Sequence, residues 1–381
     1  MSRIVLVGSD SGSSESNTIV SFIENGNIVR KEKAFPSFVM MGRPEQYASL
    51  DGSEIESAYP VKLRNPDKVY TVGQRDNQGL VVGSERCTNG NRTALLLHAL
   101  EESGVSENDK LIIAAGVPTE LAFKDDGLGG KTQDADFLEA VAESLKRLPH
   151  QTLSVKIYPE AAPPAYIYYA DYNLAKWGHA VPERLNEGQK TLFVDIGGDT
   201  TDYQMVLVDL DAKTGKPKPK FIMSSCSSSP GYGVRGMHSL LDSKVCAAFS
   251  EKGQTVGGGK LNQYQLEAAL NGSVTVNNTT IPTQQLVNDA IEEQAAKIQT
   301  LLTTANNHLN ADYVVFSGGG PAGVFKPYVE TWFKSYELSD GWGCSKGLVT
   351  LAAKEALALA KARKQGTRMD FATALKVLSQ W

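Results

Sequence analysis

Asp195-Ile-Gly-Gly-Asp-Thr-Thr-Asp202 is a turn of small and acidic residues that separates two largely apolar runs, residues 191–194 and 203–210. Two such runs on either side of a glycine-containing turn predict a pair of strands joined by a hairpin. Glycine permits the positive φ that lets backbone N–H groups approach an anion closely, as polyphosphate binding requires. An acid at the edge of the turn would repel phosphate unless a cation lay between them. The stretch therefore predicts a turn that binds polyphosphate together with a divalent cation.

The same pattern occurs at two other places in the chain. Residues 4–7 form an apolar strand that runs into the acid-led turn Asp10-Ser-Gly-Ser-Ser14, and the strand predicted at 313–316 runs into Ser317-Gly-Gly-Gly320. One turn of this kind is often only a structural hairpin, but two acid-led turns followed by a triple-glycine turn are more specific. We interpret the recurrence as a duplicated architecture. The acids that lead the two turns are the candidates for holding Mg²⁺ through water.

Length and composition restrict the class of protein. The chain has 381 residues, which at roughly 150 residues per domain predicts two or three domains. Lys and Arg number 38 and Asp and Glu 43, so the net charge of −5 implies no broad basic surface, and no direct nucleic-acid binding is expected. No apolar run reaches the roughly 18 residues of a membrane span, and the short apolar start is typical of a strand rather than a signal peptide. The four cysteines lack metal-binding spacing and are predicted to be reduced thiols, so we expect a cytoplasmic protein without a membrane partner.

Two other glycine-rich stretches are disfavoured as nucleotide-binding loops. Gly127-Leu-Gly-Gly-Lys-Thr132 ends like a P-loop, but the first glycine of that motif would fall on Asp125, and no apolar strand leads directly into it. Gly257-Gly-Gly-Lys260 has no strand before it and is predicted to be a surface loop. No G-x-G-x-x-G fingerprint opens a helix, which disfavours a Rossmann dehydrogenase.

Helical patterns account for much of the remaining chain. Pro159-Glu160 is predicted to open a helix over 161–172. Residues 236–300 read as a helix-rich insertion that ends in a long helix at 285–305, and residues 347–363 as an Ala/Leu-rich helix.

The three turns resemble the nucleotide-binding turns of the actin/Hsp70/sugar-kinase ATPases. Asp10-x-Gly-Ser is similar to the phosphate-1 turn of that superfamily, Asp195-x-Gly-Gly-x-Thr-Thr-Asp202 to the phosphate-2 turn, and Ser317-Gly-Gly-Gly320 to the adenosine turn. Within the superfamily the chain is most similar, over nearly its whole length, to the ParM/StbA actin-like proteins of plasmid segregation. The resemblance to the ParM/StbA proteins rests on four stretches: Tyr70-Thr-Val-Gly73, Gly116-Val-Pro118, Pro159-Glu160 at the crossover between the halves, and residues 286–320.

The resemblance implies an α/β protein with the actin-like fold. That fold has two duplicated ribonuclease-H-like halves, with mixed sheets flanked by helices, around a nucleotide cleft. Domain I would comprise residues 1–165 and 345–381, with a small subdomain at about 30–95. Domain II would comprise residues 166–344, with an inserted subdomain at about 236–300.

The resemblance also implies roles for individual residues. Asp10 and Asp195 would order the water around Mg²⁺, and Glu160 falls where the family places the residue that positions the attacking water. These three would form the catalytic set for in-line attack of water on the γ-phosphate of ATP. Each acid also has a structural interpretation, the aspartates as turn formers and Glu160 as a favourable charge in the first turn of a helix. The residues expected to contact nucleotide are Ser11, Gly12, Ser13, Ser14, Gly197, Gly198, Asp199 and Thr200 at the phosphates, and Gly318, Gly319 and Gly320 along the adenosine.

Two positions depart from the family pattern. Counted from Asp10, the place of a phosphate-binding lysine is occupied by Asn17. Either another base supplies the missing positive charge, or nucleotide affinity or turnover is reduced. Asp199 stands where the ParM-like pattern often has a hydroxyl residue, although actin itself has an acid at this place.

The function that the resemblance implies is an ATPase that polymerises into filaments with ATP and Mg²⁺. Such filaments move plasmid DNA through a DNA-binding adaptor protein on a plasmid centromere-like site, so the chain itself needs no DNA-reading surface. Two alternatives on the same fold stay open, a small-molecule kinase of the sugar type and a non-filamentous scaffold. The choice between ATP and GTP also stays open.

Overall fold

A computed structural model describes most of the chain. It covers residues 2–12, 14–41, 59–63, 69–73, 85–127, 131–169, 172–178, 186–212, 215, 217–222, 226–364 and 370–380. Ser13, which was predicted to contact phosphate, lies outside these residues, as does part of the small subdomain predicted at about 30–95.

Strands and helices alternate along the described chain, as in α/β proteins. The strands are β1 (Ile4–Ser11), β2 (Glu15–Glu24), β3 (Asn27–Pro36), β4 (Val39–Met41), β5 (Tyr59–Lys62), β6 (Val69–Val72), β7 (Lys110–Val117), β8 (Phe123–Asp125), β9 (Lys131–Gln133), β10 (Gln151–Pro159), β11 (Lys190–Ile196), β12 (Thr200–Leu210), β13 (Pro217–Phe221), β14 (Ser227–Pro230), β15 (Ser273–Val276), β16 (Thr279–Pro282), β17 (Tyr313–Ser317) and β18 (Tyr336–Leu338). The helices are α1 (Glu85–Thr88), α2 (Asn91–Glu102), α3 (Thr119–Ala122), α4 (Ala135–Leu145), α5 (Pro163–Tyr169), α6 (Tyr172–Gly178), α7 (Val234–Glu251), α8 (Gln263–Leu270), α9 (Gln284–Leu309), α10 (Gly319–Ala322), α11 (Lys326–Trp332), α12 (Gly343–Arg363) and α13 (Phe371–Ser379).

Two mixed sheets with the same strand order form the two halves of the molecule. The first runs β10-β7-β1-β2-β3, with β1 to β3 antiparallel and with β7 and β10 parallel to β1. The second runs β18-β17-β11-β12-β13, with β11 to β13 antiparallel and with β17 and β18 parallel to β11. Strand β14 pairs with the start of β12. The predicted duplication is therefore confirmed in strand order and direction.

The first strand shows why the sheet is buried on both faces. Successive side chains of a strand point to opposite faces. Ile4 and Leu6 pack in one cluster with α12, whereas Val5 and Val7 pack in another with α2. An unbroken apolar run is the sequence signature of such a doubly covered strand.

Helix α12 comes from the far end of the chain and lies directly against β1. A Cβ built on Gly8 would lie 2.5 Å from the carbonyl oxygen of Ser345 and 2.5 Å from the amide nitrogen of Val349. The hydroxyl of Ser345 also donates a hydrogen bond of 2.9 Å to the carbonyl oxygen of Asn17, on β2. Glycine at position 8 thus allows the start of α12 to reach the end of β1.

The predicted helices agree with the structure except at the crossover. The long helix predicted at 285–305 is α9, and the insertion also contains α7, α8 and the hairpin β15–β16. The helix predicted at 161–172 is confirmed as α5, but its start is wrong, because α5 begins only at Pro163; its described part ends at Tyr169. Two adjacent prolines, Pro163 and Pro164, explain the delayed start, since proline is favoured in the first turn of a helix. The boundaries of domains I and II stay a prediction.

The described part of the chain contains no helix with the length and apolar character needed to cross a bilayer.

Replacing Gly8 with alanine should destabilise the protein. The new Cβ would meet backbone atoms of α12, which cannot rotate away, so we expect the free energy of unfolding to fall by about 1–3 kcal/mol in urea denaturation. Gly257→Ala is the matched control because a Cβ there meets nothing within 4 Å, and its effect should stay within about 0.5 kcal/mol. Equal stability of the two variants would contradict the close packing of α12 on β1.

Candidate functional site

Two carboxylates and a thiol converge where the two halves meet. Asp10 lies near the end of β1, Asp195 near the end of β11, and Cys344 at the start of α12. One ligand atom of each lies within 4.8 Å of those of the other two. Asp195 is 8% exposed and Cys344 1% exposed, whereas Asp10 is half-buried. The structure thus brings together the two acids predicted to act on one cation, and it adds a cysteine that the sequence analysis did not assign to the site.

The electrostatics of the site disfavour negative charge. Burial, followed by the charges of Asp10 and Asp202, raises the pKa of Asp195 well above its ordinary value, and a hydrogen bond of 3.3 Å from the hydroxyl of Ser317 opposes the increase. Burial also raises the pKa of the Cys344 thiol, with further contributions from neighbouring acids that include Asp10. A cation between the carboxylates would remove this repulsion. The donor set therefore fits a bound divalent cation.

Glu160 lies beside the same cluster. It follows the last residue of β10, its side chain is buried, and its amide nitrogen donates a hydrogen bond of 2.8 Å to the carbonyl oxygen of Val117. A Cβ on Gly116 would lie 3.1 Å from Cγ of Glu160 and 3.4 Å from Sγ of Cys344. Because α5 begins at Pro163, the structural interpretation of Glu160 as an acid in the first turn of that helix is wrong.

The second acid-led turn is held by the start of α7. Gly197 and Thr200 close the turn through a backbone hydrogen bond of 2.9 Å. The amide nitrogens of Val234 and Arg235 donate to the carbonyl oxygens of Gly197 and Gly198, at 3.2 and 2.7 Å. The carbonyl oxygen of Asp199 accepts from the amide nitrogens of two glycines, Gly231 and Gly233. These bonds hold the turn against the start of α7.

Asp202 connects the two halves. Its Oδ1 accepts a hydrogen bond of 2.7 Å from the amide nitrogen of Thr119, in α3, and its Oδ2 accepts one of 2.7 Å from the hydroxyl of Thr200. Burial raises the pKa of Asp202, while hydrogen bonds from Thr200 and Thr119 oppose that shift. Asp202 therefore links the second acid-led turn to α3 in the other half. Thr200 was predicted to contact phosphate, but its hydroxyl donates its hydrogen bond to Asp202.

The first acid-led turn is shorter than predicted. Strand β1 continues to Ser11 and β2 starts at Glu15, and the hydroxyl of Ser11 lies 3.0 Å from that of Ser16 across the hairpin. The carbonyl oxygen of Gly12 accepts a hydrogen bond of 2.7 Å from Ser37. Ser14 is exposed at the tip.

The triple-glycine turn packs directly on Asp195. Gly318 has φ +91°, and a Cβ there would collide with Oδ1 of Asp195. A Cβ on Gly320 would lie 2.9 Å from the carbonyl oxygen of Ile196, whereas Gly319 is exposed and open. Two of the three glycines are thus required for close approach to β11.

The overall structure is similar to several solved structures. An archaeal actin homolog matches with a TM-score of 0.60 and 17% identity, over 92% of this chain and 99% of that chain. The ParM of a 15-stranded filament from Clostridium botulinum matches with a TM-score of 0.60 and 16% identity, over 93% of this chain and 99% of that chain. Bacillus thuringiensis ParM with ATP matches with a TM-score of 0.55 and 14% identity, over 93% of this chain and 99% of that chain.

The fold is actin-like. No protein-family profile matches the sequence. No curated protein matches it either. The likeness to the solved structures establishes the fold alone.

Two further residues, Asn17 and Arg92, lie beside the first acid-led turn. Asn17 pairs directly with Asp10 across β1 and β2, so the uncharged residue does stand beside the acid of the first turn. Arg92 is 2% exposed in α2, and its Nη2 donates to the carbonyl oxygens of Ser9, at 3.3 Å, and of Gly116. Among the described residues, Nε and Nη1 of Arg92 have no hydrogen-bond partner. Arg92 therefore fastens the ends of β1 and β7, at the base of the site.

The two stretches disfavoured as nucleotide loops lie elsewhere in the actin-like fold. Gly127 follows β8 in the short hairpin β8–β9, and residues 128–130 lie outside the described chain. Gly257–Gly259 is an exposed 3₁₀ turn.

Replacing Asp195 with asparagine should stabilise the fold at neutral pH. A carboxyl whose pKa is higher in the folded than in the unfolded state binds more protons when folded, so stability falls as pH rises from about 4 through the raised pKa. Asp195→Asn removes this loss, and we expect a gain of the order of 1 kcal/mol at pH 7 with a flatter pH profile. Urea denaturation between pH 4 and 8 measures both.

Asp209→Asn is the matched control for this experiment. Asp209 is also an aspartate of the second sheet, on β12, the strand that pairs with the strand of Asp195. Its side chain is 54% exposed, whereas that of Asp195 is buried. Its replacement should change the free energy of unfolding at pH 7 by no more than about 0.5 kcal/mol, as is usual for an exposed position. A destabilised Asp195→Asn variant at pH 7 would contradict the repulsion inferred for the carboxylate pair.

Proposed function

We propose that this protein is an ATPase that assembles into filaments with ATP and Mg²⁺ and drives plasmid segregation through a DNA-binding adaptor. The observation that carries the proposal is the convergence of Asp10 and Asp195, one from each half of an actin-like fold, on one buried site. Similar structures include ParM with ATP, ParM with AMPPNP and a ParM filament, which favours nucleotide binding and self-assembly over a silent scaffold. Residues 1–165 with 345–381 and 166–344 would form the two domains that close on the nucleotide.

Most of the site residues are assigned to binding Mg²⁺ and nucleotide. Asp10 and Asp195 would hold Mg²⁺, which would supply positive charge to the phosphate oxygens of the nucleotide. Backbone N–H groups of the turns at Gly12–Ser14 and Gly198–Thr200 would donate to phosphate oxygens, and the glycine turn at Gly318–Gly320 would accommodate the adenosine. Backbone hydrogen bonds from Val234 and Arg235 already hold the turn at Gly197–Gly198, so donors on that turn would stabilise developing charge with little reorganisation.

Glu160 is the residue that positions the attacking water. Its side chain is buried beside Cys344 and Gly116, at the end of a strand that is parallel to β7. The carboxylate accepts a hydrogen bond from the water and directs a lone pair of the water oxygen towards the γ-phosphorus.

The uncharged Asn17 lies opposite Asp10, where the family pattern has a lysine. Only Mg²⁺ and the backbone N–H groups would then neutralise phosphate charge at the first turn, which is consistent with slow turnover.

Replacing Glu160 with alanine should slow hydrolysis by roughly 10²-fold or more and leave ATP binding intact, because the group acts mainly in the transition state. Phosphate release measures the rate and fluorescent-nucleotide titration measures the affinity. Glu139→Ala, at an exposed position of α4, is the control that should hydrolyse at the wild-type rate. Unchanged hydrolysis in the Glu160 variant would remove its catalytic assignment.

Filament assembly is tested with the wild-type chain. We expect pelleting and negative-stain filaments with Mg²⁺ and ATP, and neither with EDTA, because nucleotide bound between the halves sets the conformation that assembles. A chain that hydrolyses ATP and stays monomeric at high concentration, with and without an adaptor, would contradict filament formation. ADP release that depends on an added sugar would instead indicate a small-molecule kinase.

A further inference from the structure

The proposed function gives no role to the thiol of Cys344, which lies in the same site as the two carboxylates. Its Sγ and the carboxylates of Asp10 and Asp195 lie within 4.8 Å of one another. Mg²⁺ is a hard ion that prefers oxygen ligands and keeps much of its water, so the proposed function makes no use of sulfur. A thiolate is a strong ligand for softer cations. The site therefore contains a donor set for a second class of metal.

We propose that Asp10, Asp195 and Cys344 form a direct binding site for one thiophilic divalent cation, of the class of Zn²⁺ and Cd²⁺, in the nucleotide-free protein. The inference rests on the proposed function in one respect, because the same carboxylates are assigned there to Mg²⁺. A thiophilic ion bound directly to them competes with the Mg²⁺–nucleotide complex. The site would thus make the protein sensitive to inhibition by such metals.

The spacing of the three side chains suits one tetrahedral ion. Bonds of about 2.3 Å to sulfur and 2.1 Å to oxygen place two such ligands roughly 3.6 Å apart. The three ligand atoms are already within 4.8 Å of one another, so side-chain movements of about 1 Å are enough to close the site. Three protein ligands with a fourth position open to water is a common arrangement for zinc.

Burial and charge favour direct coordination. Asp195 and Cys344 are both more than nine-tenths buried, so a cation held there loses little attraction to solvent screening. The charged groups that act on Asp195, namely Asp10 and Asp202, are themselves acids. When the metal binds, the thiol releases its proton to solvent and the thiolate forms the bond to the metal. A divalent ion then offsets two of the three negative charges of its ligands.

The other cysteines have different surroundings and supply a control. Cys87 and Cys226 are buried in an apolar cluster. Cys246 is partly exposed, and its Sγ lies 3.6 Å from Oδ1 of Asp242 and 3.6 Å from the carbonyl oxygen of Gly259. Among the described residues, the group at Asp10, Asp195 and Cys344 is the one that meets the spacing required for a metal. Cys246 is therefore the matched thiol with a single neighbouring carboxylate.

The experiment is a titration of the nucleotide-free, full-length protein with Cd²⁺, under a reductant that does not bind metal. Cadmium bound to thiolate gives a near-ultraviolet charge-transfer absorption that reports the sulfur ligand directly. We expect saturation at one Cd²⁺ per chain in the wild type and in Cys246→Ala. Cys344→Ala should lose the absorption, and both Cys344→Ala and Asp195→Asn should bind Cd²⁺ at least about tenfold more weakly.

Three results would overturn the proposal: no charge-transfer absorption in the wild type, absorption that persists in Cys344→Ala, or absorption that disappears in Cys246→Ala. Thermal unfolding of each variant verifies that it is folded, and Cys344→Ser replaces the alanine variant if that one is not. ATP binding with Mg²⁺ is measured separately on the wild type. A chain that binds ATP but gives no Cd²⁺ absorption contradicts only this inference, whereas a chain that binds Cd²⁺ but not ATP contradicts the proposed function.

Discussion

Two like charges held together out of water are the central constraint on this structure. Asp10 and Asp195 end two strands of different sheets, and their carboxylates meet at a site where one of them is almost fully buried. Such a pair costs stability unless a cation joins it. The fold tolerates the pair because each partner is fixed independently, Asp10 by the hairpin β1–β2 and Asp195 by β11, Ser317 and the glycine turn. This is the arrangement expected where stability is given up for binding.

Duplication explains how the pair comes to exist. Each half has an antiparallel meander followed by parallel strands, so each half carries a hairpin that starts with an acid at the same place in its sheet. When the two sheets face each other, the equivalent hairpins meet. The halves are not identical in detail, because the second turn is held by α7 whereas the first is held by Ser37 and by α12 behind β1.

The surroundings of the site depend on a few buried polar contacts. Asp202 accepts a hydrogen bond from the amide of Thr119 in the other half, whereas Arg92 joins the ends of β1 and β7 within the first half. A buried hydrogen bond of this kind specifies geometry more than it adds stability, since its groups lose water when they pair. The contacts of Asp202 hold the second acid-led turn, and those of Arg92 hold the ends of the strands beside the site.

The sequence by itself determined the α/β class, the duplication, the three turns and their order. Each of these depends on residues close together in the chain: an apolar run, a glycine that allows close approach of the backbone, or an acid near the end of a strand. Local patterns placed the start of α5 too early, because the paired prolines delay the helix. They also made the first turn too long, because β1 and β2 extend farther than their composition indicates.

Only the tertiary structure decided how the site is completed. Cys344 is 149 residues from Asp195 and reaches it because α12 packs on β1 through Gly8, a contact with no signature in either segment alone. The partnerships of Asp202 with Thr119 and of Arg92 with Ser9 and Gly116 arise in the same way. The chemistry of a turn can be read locally because it depends on backbone conformation, whereas a constellation of side chains depends on which surfaces pack together, and packing is settled by the whole chain at once.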